Sequence, residues 1–394
     1  MIRTRNRTGA LLAVVALAAL LAAPVPAPAQ TVSPFDYDVP VSTSEQARLG
    51  VTFNYAGQGT DVQTCDGSAN ILARRFYNSL PFAYDVTLNG VGATRRTPAD
   101  KQKNSYNAIV EAGVRKYFSP EGDFFYSVDG RLTADNDFDR PAIEATPGAG
   151  YGRFITVTTL AKAVRIEDFL LKENVIKGRL SKATMIELAQ LIERQNEFQS
   201  EYGERYKVQW FEAMEEVIAR AGMFTHEGLG AAGSLRMDEV LFQERINERF
   251  IGWDARAGLR LEVLNPYKNI DREDPSFSGR LRYSRPVGWE SQFDANVQYV
   301  TPFTGDFGVN VYTLTATLNY LYELSNRIDF TASNIFTARR FDPDLQTQLN
   351  EQVRAGFLFY LENQVNLNIT AQASKIRGQD IGQGLYLGLE YRLR

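Results

Sequence analysis

Few residues in this chain of 394 could do chemistry: it has one histidine, His226, and one cysteine, Cys65. A hydrolytic triad needs a histidine oriented beside its nucleophile, and a transition-metal site needs several nitrogen or sulfur ligands. His226 stands in Thr225-His226-Glu227-Gly228, outside any strand pattern, and reads as a polar loop residue. Cys65 lies in a stretch rich in Gly, Asp and Ser, read as a loop, and has no partner for an internal disulfide. Gly148-Ala149-Gly150-Tyr151-Gly152 places glycine at every second position, the wrong spacing for a dinucleotide fingerprint, and no Lys-Ser/Thr follows. It fits a bend or close packing on one face of a strand. The expectation is therefore a non-enzyme without catalytic, cofactor-binding or metal-ligating residues.

What remains is charge arranged by parity. Asp254, Arg256, Arg260 and Glu262 alternate with Trp253, Ala255, Ala257, Leu259 and Leu261. Arg280 and Arg282 share one parity in the next such stretch, and Asp294 and Arg354 occupy the polar parity of later ones. Neighbouring strands lie about 5 Å apart, so Arg256, Arg260, Arg280 and Arg282 fit on one patch of a sheet. Two readings follow. The arginines line a permeation path with a field favouring anions, or they pair with carboxylates such as Asp254 and Glu262 in a polar interior.

The elements that must position these charges are strands of period two. Leu385, Leu387, Leu389, Tyr391 and Leu393 fall on one face, with Tyr386, Gly388, Glu390, Arg392 and Arg394 on the other. Val365, Leu367, Ile369, Ala371 and Ala373 repeat the pattern. Strands of about ten residues or more exceed the five or six of soluble sheets and match a tilted membrane-spanning strand. Further strands are expected near residues 48–55, 70–78, 84–89, 108–115, 124–133, 143–157, 253–262, 276–286, 290–300, 308–323, 327–338 and 349–361. The count is about fourteen, or twelve if the weak 70–78 segment fails. Short links at Ser119–Gly122, Val287–Glu290, Leu324–Arg327 and Glu362–Gln364 alternate with long ones at 92–104, 265–275, 339–348 and 375–383. Outer-membrane barrels show this asymmetry, with short turns in the periplasm.

Residues 1–29 read as a signal peptide: Arg3, Arg5 and Arg7, an apolar run from Leu11 to Ala22, and Ala27-Pro28-Ala29 before Gln30. Its removal takes away three arginines and no acid, and moves the formal net charge from −4 to −7. That mild acidity gives no nucleic-acid footprint. Residues 30–45 lack any period and read as a flexible arm. Barrel segments are expected over 46–158 and 250–394. Between them, over 159–249, the period changes to 3.6. Met185, Leu188, Ala189 and Ile192 make a helix starting near Ser181, and Phe211, Met214, Val217 and Ile218 make one ending at Gly222. Two more are expected over Leu160–Lys172 and Asp238–Arg249.

On the signal, the alternation, the turn asymmetry and the final strand ending Tyr391-Arg392-Leu393-Arg394, the chain resembles a bacterial outer-membrane β-barrel in the broad porin-like sense. The resemblance covers about 46–157 and 250–394, and departs from the pattern in ending on arginine rather than an aromatic residue. It implies an outer-membrane lipid environment in a Gram-negative-type bacterium and insertion by the barrel-assembly machinery. The expected fold is an all-β transmembrane barrel of about fourteen antiparallel strands with an inserted α-helical periplasmic domain. The expected function is a passive channel for small polar solutes. The alternative is a membrane-anchored scaffold whose insertion at 159–249 binds a periplasmic protein.

Overall fold

The computed structural model describes residues 30–37, 41–58, 61–79, 81–96, 103–303, 311–342, 344–361 and 365–392. The predicted signal peptide, the turn at 362–364 and residues 97–102 of the link at 92–104 lie outside the described residues. The fourteen strands are β1 (Val41–Gln58), β2 (Asp61–Ser79), β3 (Phe82–Arg96), β4 (Lys103–Tyr117), β5 (Phe124–Asp135), β6 (Ala142–Thr156), β7 (Phe250–Leu264), β8 (Ser276–Val287), β9 (Ser291–Pro302), β10 (Tyr312–Ser325), β11 (Ile328–Arg340), β12 (Gln348–Tyr360), β13 (Val365–Ile376) and β14 (Gly382–Arg392). Each pairs antiparallel with its sequence neighbours, and β1 pairs with β14 to close a barrel. Closure leaves no free sheet edge, which lets a sheet stand in hydrocarbon.

The register confirms the parity around the whole wall. Asp254 lies opposite Arg282, and Arg256 opposite both Gly150 and Arg280, so the polar parity of β6, β7 and β8 is one inner surface. The outer face is apolar between two rows of aromatic rings. Near the short turns, Tyr77 stacks on Tyr84 with centroids 5.2 Å apart, Phe124 meets Tyr151 at 4.8 Å, and Tyr151 meets Trp253 at 5.8 Å. Near the long loops, Tyr299 stacks on Tyr312 at 5.9 Å. Tyr312 and Tyr320 lie on one strand, and strand rise and tilt separate their rows by about 20 Å. Val86, Val114, Val128, Leu281 and Leu318 lie exposed between the rows. A soluble protein would bury such a band, whereas a bilayer covers it.

The insertion between β6 and β7 holds α1 (Thr158–Lys172), α2 (Lys182–Glu193), α3 (Gln195–Tyr202), α4 (Tyr206–Arg220) and α5 (Gly230–Asp238), the last running into a π turn at Glu239–Gln243. Ser181 caps α2 by accepting from the Thr184 amide at 3.2 Å, and Gly222, at φ +67°, follows the end of α4. Their apolar stripes meet one another. Leu160, Ile166, Leu170, Met185, Leu188, Trp210, Met214 and Ile218 form one core, all fully buried.

Three expectations are corrected. The helix expected over Asp238–Arg249 ends with the π turn at Gln243, and residues 244–249 carry no regular structure, Asn247 and Arg249 being bonded instead to the barrel wall. The arm at 30–45 is not free. Val32 and Tyr37 are buried in the helical core, the Tyr37 hydroxyl bonds Thr159 at 2.6 Å, and β1 already begins at Val41. Cys65 sits within β2 opposite Tyr55, not in a loop.

Candidate functional site

The interior has two unlike halves. On the side of β3 to β8 it is packed with ion pairs. Asp254, fully buried, accepts from Arg282 Nε at 3.0 Å and from its Nη2. Arg282 also lies 3.6 Å from Asp85, which pairs with the fully buried Arg115. Arg256 Nη1 donates to Asp129 at 2.7 Å, Arg260 pairs with Glu144, and Arg131 lies 3.4 Å from Glu111. Arg280 faces Arg256 across the β7–β8 register, and its Nε donates to Asn296 at 3.0 Å. Five guanidinium groups thus meet five carboxylates from six strands, and Arg280 meets an amide beside them. Buried charges persist only when paired in this way, so the cluster cross-braces the wall.

Below it, toward the short turns, Phe76 of β2 touches Phe154 of β6 and Phe250 of β7, with centroids 6.1 and 5.5 Å apart. The Arg282 guanidinium lies 4.4 Å from the Phe154 ring and that of Arg74 4.8 Å from Phe250. β2 therefore meets β6 and β7 across the interior. The alternate glycines of β6 make room for rings from β4 and β5: a Cβ on Gly150 would fall 2.5 Å from Phe125 Cζ, and the Tyr117 hydroxyl donates to the Gly152 carbonyl at 3.4 Å.

The other half, from β10 to β13, carries mostly uncharged polar groups and is more exposed. Asn319, Thr331, Arg354 and Asn368 have inward parity and are all exposed, although they face the interior of a closed barrel. Thr315, Thr317, Ser333, Gln352 and Thr370 share that surface. Arg354 bonds the Gln372 amide oxygen at 3.0 Å.

The helical insertion sits at the short-turn end. Its irregular segment 244–249 runs to the wall beneath the more exposed half. Asn247 donates to Glu323 at 3.0 Å and to Asp329 at 2.7 Å. Arg249, 1 % exposed, donates to Glu323 at 2.7 Å and to the Trp289 carbonyl at 3.2 Å. Arg165 of α1 reaches Glu323 at 3.2 Å and Glu244 at 3.5 Å. Tyr360 bonds Asp329, and Arg245 stacks 4.9 Å above the Tyr360 ring. On the opposite side Glu248 bonds Ser44, and Glu193 accepts from the amide and hydroxyl of Thr43, the latter at 2.7 Å. This interface is polar, unlike the apolar core behind it. Burial holds the Glu193 and Glu244 carboxyls above the usual carboxylate range, against the hydrogen bonds from Thr43 and the charge of Arg165.

The arginines singled out in the sequence all face the interior. Arg256, Arg260 and Arg282 are joined to carboxylates, and Arg280 to an amide. Glu262 accepts from Asn265 at 3.1 Å at the long-loop end, and Asp294 accepts from Gln292 at 2.9 Å and from Ser284. Arg354 stands apart from that cluster. Sequence reasoning passed over Asn247, Arg249 and Glu323, whose roles depend on the insertion folding back. It also passed over Phe76, Phe154 and Phe250, apolar rings on the polar parity; that breach of alternation was the available signal.

No protein-family model matches the chain, and no curated protein does. Among solved structures it is similar to Pseudomonas aeruginosa OpdK with vanillate, with TM-score 0.33 and 8% identity over 90% of this chain and 98% of that one. The CymD monoaromatic hydrocarbon channel gives 0.31 and 8% over 89% and 87%. The translocator domain of the Neisseria meningitidis autotransporter NalP gives 0.27 and 8% over 90% and 88%. By its own closure, register and girdles the chain is a fourteen-stranded β-barrel of the outer-membrane type.

Proposed function

We propose that this barrel lies in the outer membrane with its short-turn end in the periplasm, and that it is a channel for small polar solutes whose periplasmic mouth is closed by the helical domain. The observation that carries the reading is the contrast between the two interior halves. Arg115, Asp254, Arg256 and Arg282 are buried, whereas Asn319, Thr331, Arg354 and Asn368 face inward and are exposed. Solutes then pass along hydroxyl and amide groups of β10 to β13, and the paired arginines brace the wall. A lining mostly of hydroxyl and amide groups exchanges hydrogen bonds with a polyol at little net cost, with Arg354 the one charge among the residues named. The polar contacts of Asn247 and Arg249 form the latch, since hydrogen bonds re-form to water when the domain moves away.

Swelling of proteoliposomes in isotonic neutral polyols tests this. Swelling that exceeds that in salts of organic anions of equal size supports the neutral path. No swelling in any solute by the unlatched Arg249→Ala variant, with its barrel folded, overturns it.

A second reading has one observation in its favour. Val208 and Leu235 on the helical domain are 56 % and 64 % exposed, and a protein partner docking there makes the barrel an anchor.

A further inference from the structure

We infer that the outer wall at the short-turn end carries a binding site for one anionic glycerophospholipid of the periplasmic leaflet, built around Arg285 and roofed by Phe35. The inference rests on the membrane placement proposed above and not on channel activity. A cavity of about 650 Å³ lies outside the barrel against β6, β7 and β8, lined by Phe35, Tyr151, Arg153, Trp253, Tyr283 and Arg285 among others. That volume falls within the ~300–1,000 Å³ of small-molecule sites. Its rings belong to the aromatic row near the short turns, where the headgroup region begins.

Arg285 is exposed, has the outward parity of Tyr283, and stands two residues nearer the turn. Its guanidinium lies 5.7 Å from the Phe35 ring, and no carboxylate pairs with it among the described residues. Arg153, by contrast, is held by Asp123 at 3.2 Å and by the Gly122 carbonyl at 2.7 Å, so it shapes the floor. An unpaired guanidinium at headgroup depth beside an apolar cleft complements a phosphate diester with its glycerol and acyl chains below.

The roof is held in place. Ser33 and Asp36 cap the turn at Pro34–Asp36, Lys182 pairs with Asp36 at 2.7 Å, and Thr31 donates to the Leu180 carbonyl at 2.6 Å. Phe35 is left 54 % exposed, facing the cleft rather than the helical core behind it. The segment that reads as a loose arm thus becomes one wall of a lipid cleft.

Native mass spectrometry of the delipidated full chain, titrated with phosphatidylglycerol, phosphatidylcholine or inorganic phosphate, tests the site. One phosphatidylglycerol adduct is expected well above the phosphatidylcholine level. Arg285→Glu should weaken it about tenfold, and Phe35→Ala severalfold, whereas Arg327→Glu on the exposed β10–β11 turn should not. Equal loss in Arg285→Glu and Arg327→Glu, or equal retention of both lipids, overturns the inference. Displacement of the lipid by millimolar inorganic phosphate overturns the lipid as occupant. Should Arg285→Glu not fold, Phe35→Ala alone decides: undiminished phosphatidylglycerol retention there refutes the site.

Discussion

Replacing Arg249 with alanine should open the closed mouth. Arg249 is buried, and its guanidinium joins the Glu323 carboxylate at 2.7 Å to the Trp289 carbonyl. Removing one member of a buried ion pair costs ~3–5 kcal/mol when the other is left alone. Glu323 is not left alone, because Arg165 stays at 3.2 Å and Asn247 at 3.0 Å. The loss therefore falls nearer ~2 kcal/mol, which shifts the equilibrium between latched and released states by about thirtyfold at ~1.4 kcal/mol per tenfold. Open probability in planar bilayers reads this shift directly. Glu323→Gln should act in the same direction. The double variant should fall short of the summed effects by ~1 kcal/mol, since the two residues share one contact. An unchanged open probability in Arg249→Ala, with the barrel still resistant to cold detergent, would refute the latch.

The pH dependence has a defined sign. Burial raises the Glu193 and Glu244 carboxyls, which lie where the docked domain meets the barrel, above their usual value of 4.5, against partners Thr43 and Arg165. Each binds its proton more tightly docked than free, so docking takes up protons and acidification favours the closed state. Conductance should fall as pH drops from neutral toward 4.5 and level off below, where the undocked carboxyls protonate as well; conductance rising over that range contradicts the assignment. Changing Arg256 and Arg280 to Glu should leave the reversal potential under a salt gradient nearly unchanged. It should instead lower the temperature at which the barrel unfolds in detergent, because Asp129 loses its 2.7 Å partner inside a packed cluster; a clear turn to cation selectivity at unchanged heat resistance would return the path to the arginines.

How much of this was legible depended on whether a contact is local. Parity is a property of one strand, so the inward facing of Asp254, Arg256, Arg280 and Arg282 could be read from alternation alone. What each charge meets is set by closure. Asp129 of β5 reaches Arg256 of β7 only because glycines of β6 leave the surface between them bare. The helices at Ser181 and before Gly222 were readable from apolar period and caps. The irregular segment at 244–249 was not, because its polar side chains look equally at home on a helix surface. Its conformation is decided by Glu323 and Asp329, more than seventy residues away in sequence. The arm at 30–37 was missed for a similar reason: Val32 and Tyr37 show no period, and their burial follows from a groove that only the folded helices create.

The closure of the mouth by a releasable latch can be tested by tethering it. Asn247 and Asp329 touch at 2.7 Å across the interface, so Asn247→Cys with Asp329→Cys, in a background of Cys65→Ser, puts two thiols at the contact. Single-channel current through this one protein, recorded oxidised and then after reduction, separates gating from folding. Silence when oxidised and conductance restored by reductant is the expected result. Equal current in both states, or silence in both, would contradict the account.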